Sequence, residues 1–456
     1  MDSTPPTETL FPPIETLLPP TVAFPGLAER TGRARRRLVI VVRADPVICG
    51  HSGEARCLAE VALTRGYDDV RIVSWPIDRL QESGLPLKPL ATVQPYSPGI
   101  TVERPDPVGD YRVIDGRYLA GLTGRLIELF TDGVPTVAMS LYLSPHTTAV
   151  QDAARIARSM GARDLVTVAE AVGSDITNVV RNCLDDNRFG AAVHIMTTYL
   201  EADHCVAVSQ FTKDLIEESA LLLDERLGTH FAQECRQRIG ISFPAVHTAP
   251  YLEQDRDQVA RVLQRRGLEP GKYLLFLSRL AAAKGVDDLI EAYRGSTARR
   301  ELKLVLVGRG PREAEIRSWA AASGVADRIE ILTDVDDDEK PALMAGSAAF
   351  VLPSRPQPEF VETFGIALVE AMLSGGGPVI TCPTGGITEA VGDTAVLVPP
   401  FAPESLRDAI DMVATMSPEM DAAWRTRARE YALQFDRAQV FDRLARRIAT
   451  ADEDVA

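Results

Sequence analysis

The chain has 456 residues, 45% of them apolar and 25% charged, and carries a net charge of −15. That length predicts two or three domains with sizeable cores. The acidic balance argues against nucleic acid as a partner, and against an anionic polymer or an anionic lipid surface.

No run approaches the ~20 apolar residues of a membrane-spanning helix, so stable membrane insertion is not expected. The N-terminus lacks the basic-then-apolar pattern of a signal peptide. The six cysteines, Cys49, Cys57, Cys183, Cys205, Cys235 and Cys382, lack the close pairing of metal or redox sites. Most sit in apolar or helical contexts and read as buried thiols, and a reducing cytoplasm is the expectation.

Residues 1–35 are rich in Pro, Thr and Glu, with three Pro-Pro pairs, and read as a disordered or loosely attached arm. Arg30, Arg33, Arg35, Arg36 and Arg37 precede the first strand and read as a solvated strand entry rather than a membrane patch. Leu38 to Val42 is an unbroken apolar run, the mark of a buried parallel strand. It leads through Asp45-Pro46 into a loop holding Gly50 and Gly53, then a helix from Ala55 to Arg65 and a strand from Val70 to Val73. Strand, loop, helix, strand is α/β logic with right-handed crossovers. The Gly-x-x-Gly spacing alone asks for no more than a tight turn.

Pro135 to Met139 and Leu165 to Val168 read as further strands. Ligands in open parallel sheets sit outside the carboxyl ends of the strands, so the loops Ser140 to His146 and Glu170 to Asp175 are cleft candidates. Cys205 to Ser209 followed by Gln210 to Ile216 reads as strand, turn, helix. The first domain is placed at 36–250 and the second at 265–432, with a hinge between them. Residues 433–456 form a tail in which Arg437 to Ile448 has an apolar stripe.

The second domain opens with the strand Tyr273 to Leu277. Arg279 and Lys284 follow it, in a loop before a helix. One planar fork and one compact charge so placed suit a diphosphate that gains charge as it leaves. Leu304 to Val307 and Ile329 to Leu332 are strands. The second runs into Thr333, Val335 and the acids Asp336 to Glu339, which read as solvated helix-start residues rather than a metal site.

The densest signal is FVLPSRPQPEFVETFGIALVEAM, Phe350 to Met372. A short buried strand stops at Pro353-Ser354, and a Pro-rich loop leads to a helix opened by Phe364 and Gly365. Glu362 stands just before that helix and Glu370 inside it. Eight residues of helical rise span at most ~12 Å, about the reach from a hexose across a diphosphate to a ribose. Free N–H groups at the helix N-terminus lie between the two acids and suit a phosphate.

The phrase ETFGIALVEAM behind a strand ending in Pro-Ser resembles the signature of retaining GT-B glycosyltransferases, specifically glycosyltransferase family 4. The Arg279 to Lys284 spacing resembles the family's diphosphate pair. Gly385 to Glu389 resembles its Gly-Gly loop ending in Glu. The resemblance covers about Leu38 to Ile448, and is specific in the second half and diffuse in the first. It implies an α/β fold of two facing Rossmann-like doubly wound domains, with a C-terminal helix returning to the first. It also implies transfer of a sugar from a nucleoside-diphosphate sugar to a small polar acceptor, with retained configuration and no metal or other cofactor.

In that scheme Arg279 and Lys284 stabilise the leaving diphosphate. Glu362 faces the donor sugar, and Phe364, Gly365 and Ile366 supply backbone N–H groups. Glu370 accepts hydrogen bonds from the ribose, while Thr333 and Val335 flank the nucleobase. Gly50 and Gly53 approach the donor phosphate and the acceptor. The sequence departs from the family at Leu141 and Val172, where histidines usually stand, and His146 is the nearby candidate to replace them. The alternatives are a GT-B sugar phosphorylase, a nucleotide-sugar epimerase, or a catalytically silent sugar-nucleotide sensor. The acceptor is unread. An aminocyclitol or thiol of natural-product synthesis is one candidate, and the oligomeric state is equally open.

Overall fold

A computed structural model of the chain describes residues 35–108, 114–358 and 360–453. The expected Pro-rich arm, apart from Arg35, lies outside them. The first sheet holds β1 (Arg37–Val41), β2 (Asp69–Val73), β3 (Ile100–Glu103), β4 (Thr136–Leu141), β5 (Leu165–Ala171), β6 (His204–Ala207) and β7 (Ile239–Ile241). Its strands are parallel, in the order β3-β2-β1-β4-β5-β6-β7. The second holds β8 (Tyr273–Leu277), β9 (Lys303–Val307), β10 (Ile329–Leu332), β11 (Ala349–Leu352), β12 (Val379–Thr381) and β13 (Val396–Leu397), also parallel, in the order β10-β9-β8-β11-β12-β13.

Both sheets follow from the apolar runs. Every residue of β1 and β11 is buried, as expected for strands covered by helices on both faces. The strand order reverses between β1 and β4 in one sheet and between β8 and β11 in the other. The crevice at such a switch point, outside the carboxyl ends, is where open parallel sheets hold ligands.

The two units are tied together at the back. Val246 N–H donates to the Phe435 carbonyl and Arg437 N–H to the Val246 carbonyl, both at 2.9 Å. The helix Arg437–Glu453 then returns to the first domain. Its Phe441, Leu444, Ala445 and Ile448 pack with Leu38, Tyr67 and Met139, and Asp442 pairs with Arg65 at 2.7 Å. At the hinge Phe243, Phe364 and Phe435 form a ring cluster with centroids 5.0–5.6 Å apart.

Several sequence expectations need correction. The first helix spans Gly50–Thr64, so Gly50 and Gly53 belong to its first turn rather than to a preceding loop. Arg37 is not solvated: it is 3% exposed and is held by Asp69 at 2.7 Å and Asp132 at 2.7 Å. β3, β7, β13 and the helix Ile114–Thr131 were not read as elements in the sequence. β3 has no fully buried residue, which explains its weak pattern.

Candidate active site

The site is assembled from the carboxyl end of β8 outward. Arg279 stands two residues past that strand. Lys284 ends a short turn, Ala282–Lys284. Gly285 follows with φ +65°, and a Cβ there would lie 2.2 Å from the Pro353 carbonyl oxygen. Only glycine tolerates both the left-handed backbone and that close approach, which seats the β8 loop on the loop after β11. The Phe360 ring lies beneath both cations, 5.7 Å from Arg279 Cζ and 5.2 Å from Lys284 Nζ, a favourable arrangement for cation–π attraction. Lys284 is 6% exposed, and its ammonium forms an ion pair with the Glu362 carboxylate.

Glu362 is placed by the Gly-Gly loop. Gly386 N–H donates to the Glu362 carbonyl at 2.9 Å. A Cβ on Gly385 would sit 2.0 Å from that same oxygen. Phe364 is buried, and Gly365 takes φ +102° to start the helix Ile366–Ser374, whose N-terminus has neither a side-chain cap nor an acid in its first turn. The N–H groups of Phe364, Gly365 and Ile366 meet no acceptor among the described residues. Unpaired donors and the helix dipole favour an anion there.

Glu370 lies one turn along the helix. Lys340 donates to it at 2.7 Å, and the Tyr251 hydroxyl is hydrogen-bonded to it as well. The sequence assigned neither partner. Arg309 donates to the Thr333 carbonyl, and Val335 packs half-buried on the second core. Of the acids after β10, Asp336, Asp337 and Asp338 are exposed, as expected, and Asp336 accepts from Glu339 N–H at 2.8 Å where the next helix starts; Glu339 is the exception. Glu339 is buried against Arg266, and Asp337 pairs with Lys88 of the first domain at 2.6 Å.

The first domain meets this surface closely. A Cβ on Gly50 would lie 3.3 Å from Ile366 Cδ1, whereas one on Gly53 would meet nothing within 4 Å. Gly173, at φ +95°, faces Thr363, whose Cγ2 would be 2.0 Å from a Cβ. Glu389 reaches across the interface and accepts from the N–H groups of Gln210 at 2.7 Å and Phe211 at 3.0 Å. It thereby caps the helix Gln210–Leu227 of the other domain.

Leu141 and Val172, at the positions of the absent histidines, are both buried. His146 does not open into the cleft: it is 1% exposed, 4.4 Å from the Trp75 ring and 5.7 Å from Tyr142. Neither of its ring nitrogens has a partner among the described residues. Burial, then Arg43 and His51, hold its pKa well below the usual range. His51, in the first turn of the Gly50–Thr64 helix, has a pKa of about 4, depressed by burial and then by Arg43.

Three carboxyls lie beneath this side of the cleft. Asp175 accepts from the N–H groups of Gly173 at 2.9 Å, Leu143 at 3.1 Å and Val172 at 3.2 Å, and burial still pushes its pKa up to about 6. Glu54 accepts from Ala245 N–H at 3.3 Å. It is also hydrogen-bonded to Glu170, and burial raises the pKa of both. Among the described residues no three His, Cys, Asp or Glu converge as metal ligands, and no helix is long and apolar enough to cross a membrane.

Residues 263–431 match the family model described as glycosyl transferases group 1. The chain is 30% identical over 188 residues to the alpha-D-kanosaminyltransferase of Streptomyces kanamyceticus, covering 39% of this chain and 47% of that one. It is 34% identical over 142 residues to the D-rhamnosyltransferase WbpZ of Pseudomonas aeruginosa, covering 30% and 35%. The chain thus spans about half or less of these relatives. The Anabaena Alr3699/HepE structure, in complex with UDP and glucose, superposes with a TM-score of 0.66 at 18% identity, over 91% of this chain and 100% of that one. The fold is the GT-B arrangement of two Rossmann-like α/β domains.

Proposed function

We propose that the chain is a retaining glycosyltransferase of family 4 type. It moves a sugar from a nucleoside diphosphate to a small polar acceptor in the cytoplasm, without a metal. The observation that carries this reading is the convergence of Arg279, Lys284 and the uncapped helix N-terminus at Ile366, with Glu362 and Glu370 on either side. A diphosphate laid over that N-terminus puts the nucleoside toward Glu370 and the sugar toward Glu362.

The roles follow from charge. As the bond to the sugar breaks, negative charge collects on the diphosphate and Arg279 and Lys284 offset it. The sugar becomes cation-like, and the Glu362 carboxylate is worth more there than in the bound donor. The departing phosphate takes the acceptor proton, so the scheme does not require histidines at positions 141 and 172. Glu370, fixed by Lys340 and Tyr251, receives the ribose hydroxyls. Thr333 and Val335 flank the base, through backbone.

The test is a calorimetric screen of UDP-, GDP-, ADP- and TDP-sugars against the full chain, followed by product analysis. The presence of UDP and glucose in the HepE structure makes UDP-glucose the first probe. Saturable binding with donor turnover is expected, and absence of binding by any nucleotide sugar would end this reading. The buried, apolar Leu141 and Val172 favour one rival, a silent sugar-nucleotide sensor; donor turnover excludes it.

A further inference from the structure

Arg43 lies two residues past β1, as Arg279 lies two residues past β8. Each strand has five residues and borders the switch point of its sheet. Each guanidinium stands over an aromatic ring from a segment after the neighbouring strand, Tyr142 at 5.6 Å for Arg43 and Phe360 at 5.7 Å for Arg279. Among the described residues Arg43 forms no hydrogen bond and no ion pair. The near carboxylate, Asp45, is occupied by Arg56 at 2.8 Å. Among the described residues, Cys49, His51, Tyr118, Tyr142 and His146 feel the Arg43 charge, and all five are neutral at physiological pH.

A half-buried guanidinium whose described neighbours are neutral, in a chain of net charge −15, favours an anion as its partner. Its planar fork suits two oxygens of a phosphate or carboxylate. The donor diphosphate is already provided for by Arg279, Lys284 and the helix at Ile366. We infer that Arg43 binds an oxyanion on the acceptor, so that the acceptor is a small polyol carrying a phosphate or a carboxylate rather than a neutral one. This inference rests on the glycosyltransferase reading above and names the substrate class of that same cleft.

The experiment uses the full chain saturated with the nucleoside diphosphate that binds best in the donor screen, which blocks the donor side. Glucose 6-phosphate, glucuronate and glucose are then titrated as probes by calorimetry. Wild type should bind at least one charged probe about tenfold or more tighter than glucose, and the tighter of the two names the oxyanion. Arg43→Gln should close that gap while its nucleoside diphosphate affinity stays unchanged, and Arg43→Lys should keep part of the gap. If Arg43→Gln does not fold, Arg43→Lys decides alone: an undiminished gap counts against the assignment. Failure of any nucleoside diphosphate to bind overturns the function itself. Normal nucleoside diphosphate binding with no preference for either charged probe, or with a preference that survives Arg43→Gln, overturns the Arg43 site alone.

Discussion

Lys284 and Glu362 neutralise each other across the floor of the cleft, with side chains 7% and 14% exposed. They come from segments 78 residues apart. The group proposed to receive the leaving diphosphate and the group proposed to face the sugar are thus partners before any donor arrives. On the proposed reading, an arriving diphosphate competes with Glu362 for the ammonium.

Lys284→Ala should lower turnover more than donor affinity, because Arg279 still binds the ground-state diphosphate. Loss of one such donor costs roughly 2.7–4 kcal/mol in barrier. The variant also strands the Glu362 carboxylate, so its melting temperature should fall. The loss should stay below the ~3–5 kcal/mol of a fully buried broken pair. Steady-state kinetics and a thermal melt check both, and normal turnover would remove Lys284 from the mechanism.

Glu389 acts between domains. Its carboxylate satisfies two N–H groups at the start of the Gln210–Leu227 helix, which belongs to the other domain. Glu389→Ala leaves those donors to water and should shift the free protein toward an open cleft, with a larger radius of gyration by small-angle scattering. Saturating nucleoside diphosphate should recover part of the difference. An unchanged radius would mean that Glu389 does not hold the closure.

The buried carboxyls set a pH dependence of known sign. Asp175, with a pKa of about 6, and the mutually bonded Glu54 and Glu170 all hold their protons to higher pH in the folded chain than the ordinary carboxylate value of about 4. The folded state binds more protons, so their contribution to stability falls as pH rises from about 4 through their folded values. Asp69 works in the opposite sense: despite burial, Arg71 and Arg37 hold its pKa low, so its contribution is lost as pH falls. Glu170→Gln should leave the melting temperature near wild type at pH 5 and raise it above wild type at pH 8. A variant less stable than wild type at pH 8 would contradict this.

Phe435 is fully buried and touches Phe243 and Phe364 at the hinge. Phe435→Ala should cost about 3–5 kcal/mol in chemical denaturation. Because Phe364 abuts the helix Ile366–Ser374, proposed to hold the donor diphosphate, donor KM should rise as well. A loss below about 1 kcal/mol would mean the hinge repacks freely.

The parts of the site that could be read in the sequence are those whose chemistry is local. Arg279, Lys284, Glu362 and Glu370 each sit beside a buried strand or a helix start, and that context separates them from surface charges. Their partners come from elsewhere in the chain. Lys340 and Tyr251 reach Glu370 from two other segments, and Glu389 crosses between domains; no local pattern announces such contacts. Arg43 escaped for the same reason, since its meaning lies in an absent partner. Glu170 and Asp175 looked like polar loop residues, because no local pattern shows that the N–H groups of Leu143, Val172 and Gly173 converge on Asp175 or that Glu170 meets Glu54. His146 looked available for the same reason, since only the packing of Trp75 and Tyr142 encloses it. In the fold, runs buried on both faces were legible, while the edge strands β3 and β13, with neither a long apolar run nor full burial, were not.

The most direct measurement of the donor orientation is the affinity of free nucleoside diphosphate for Glu362→Gln and Glu370→Gln, taken with their kinetics. Glu370 is assigned a contact with the ribose, made about equally in ground and transition states, and such uniform binding appears in KM rather than kcat. Glu370→Gln should therefore weaken nucleoside diphosphate binding and raise donor KM with kcat nearly kept. Glu362→Gln should cut kcat sharply. Its nucleoside diphosphate affinity should be unchanged or tighter, because Lys284 is released from its partner. Two variants with normal kinetics, or the two patterns exchanged, would contradict the placement of the donor along Glu362 to Glu370.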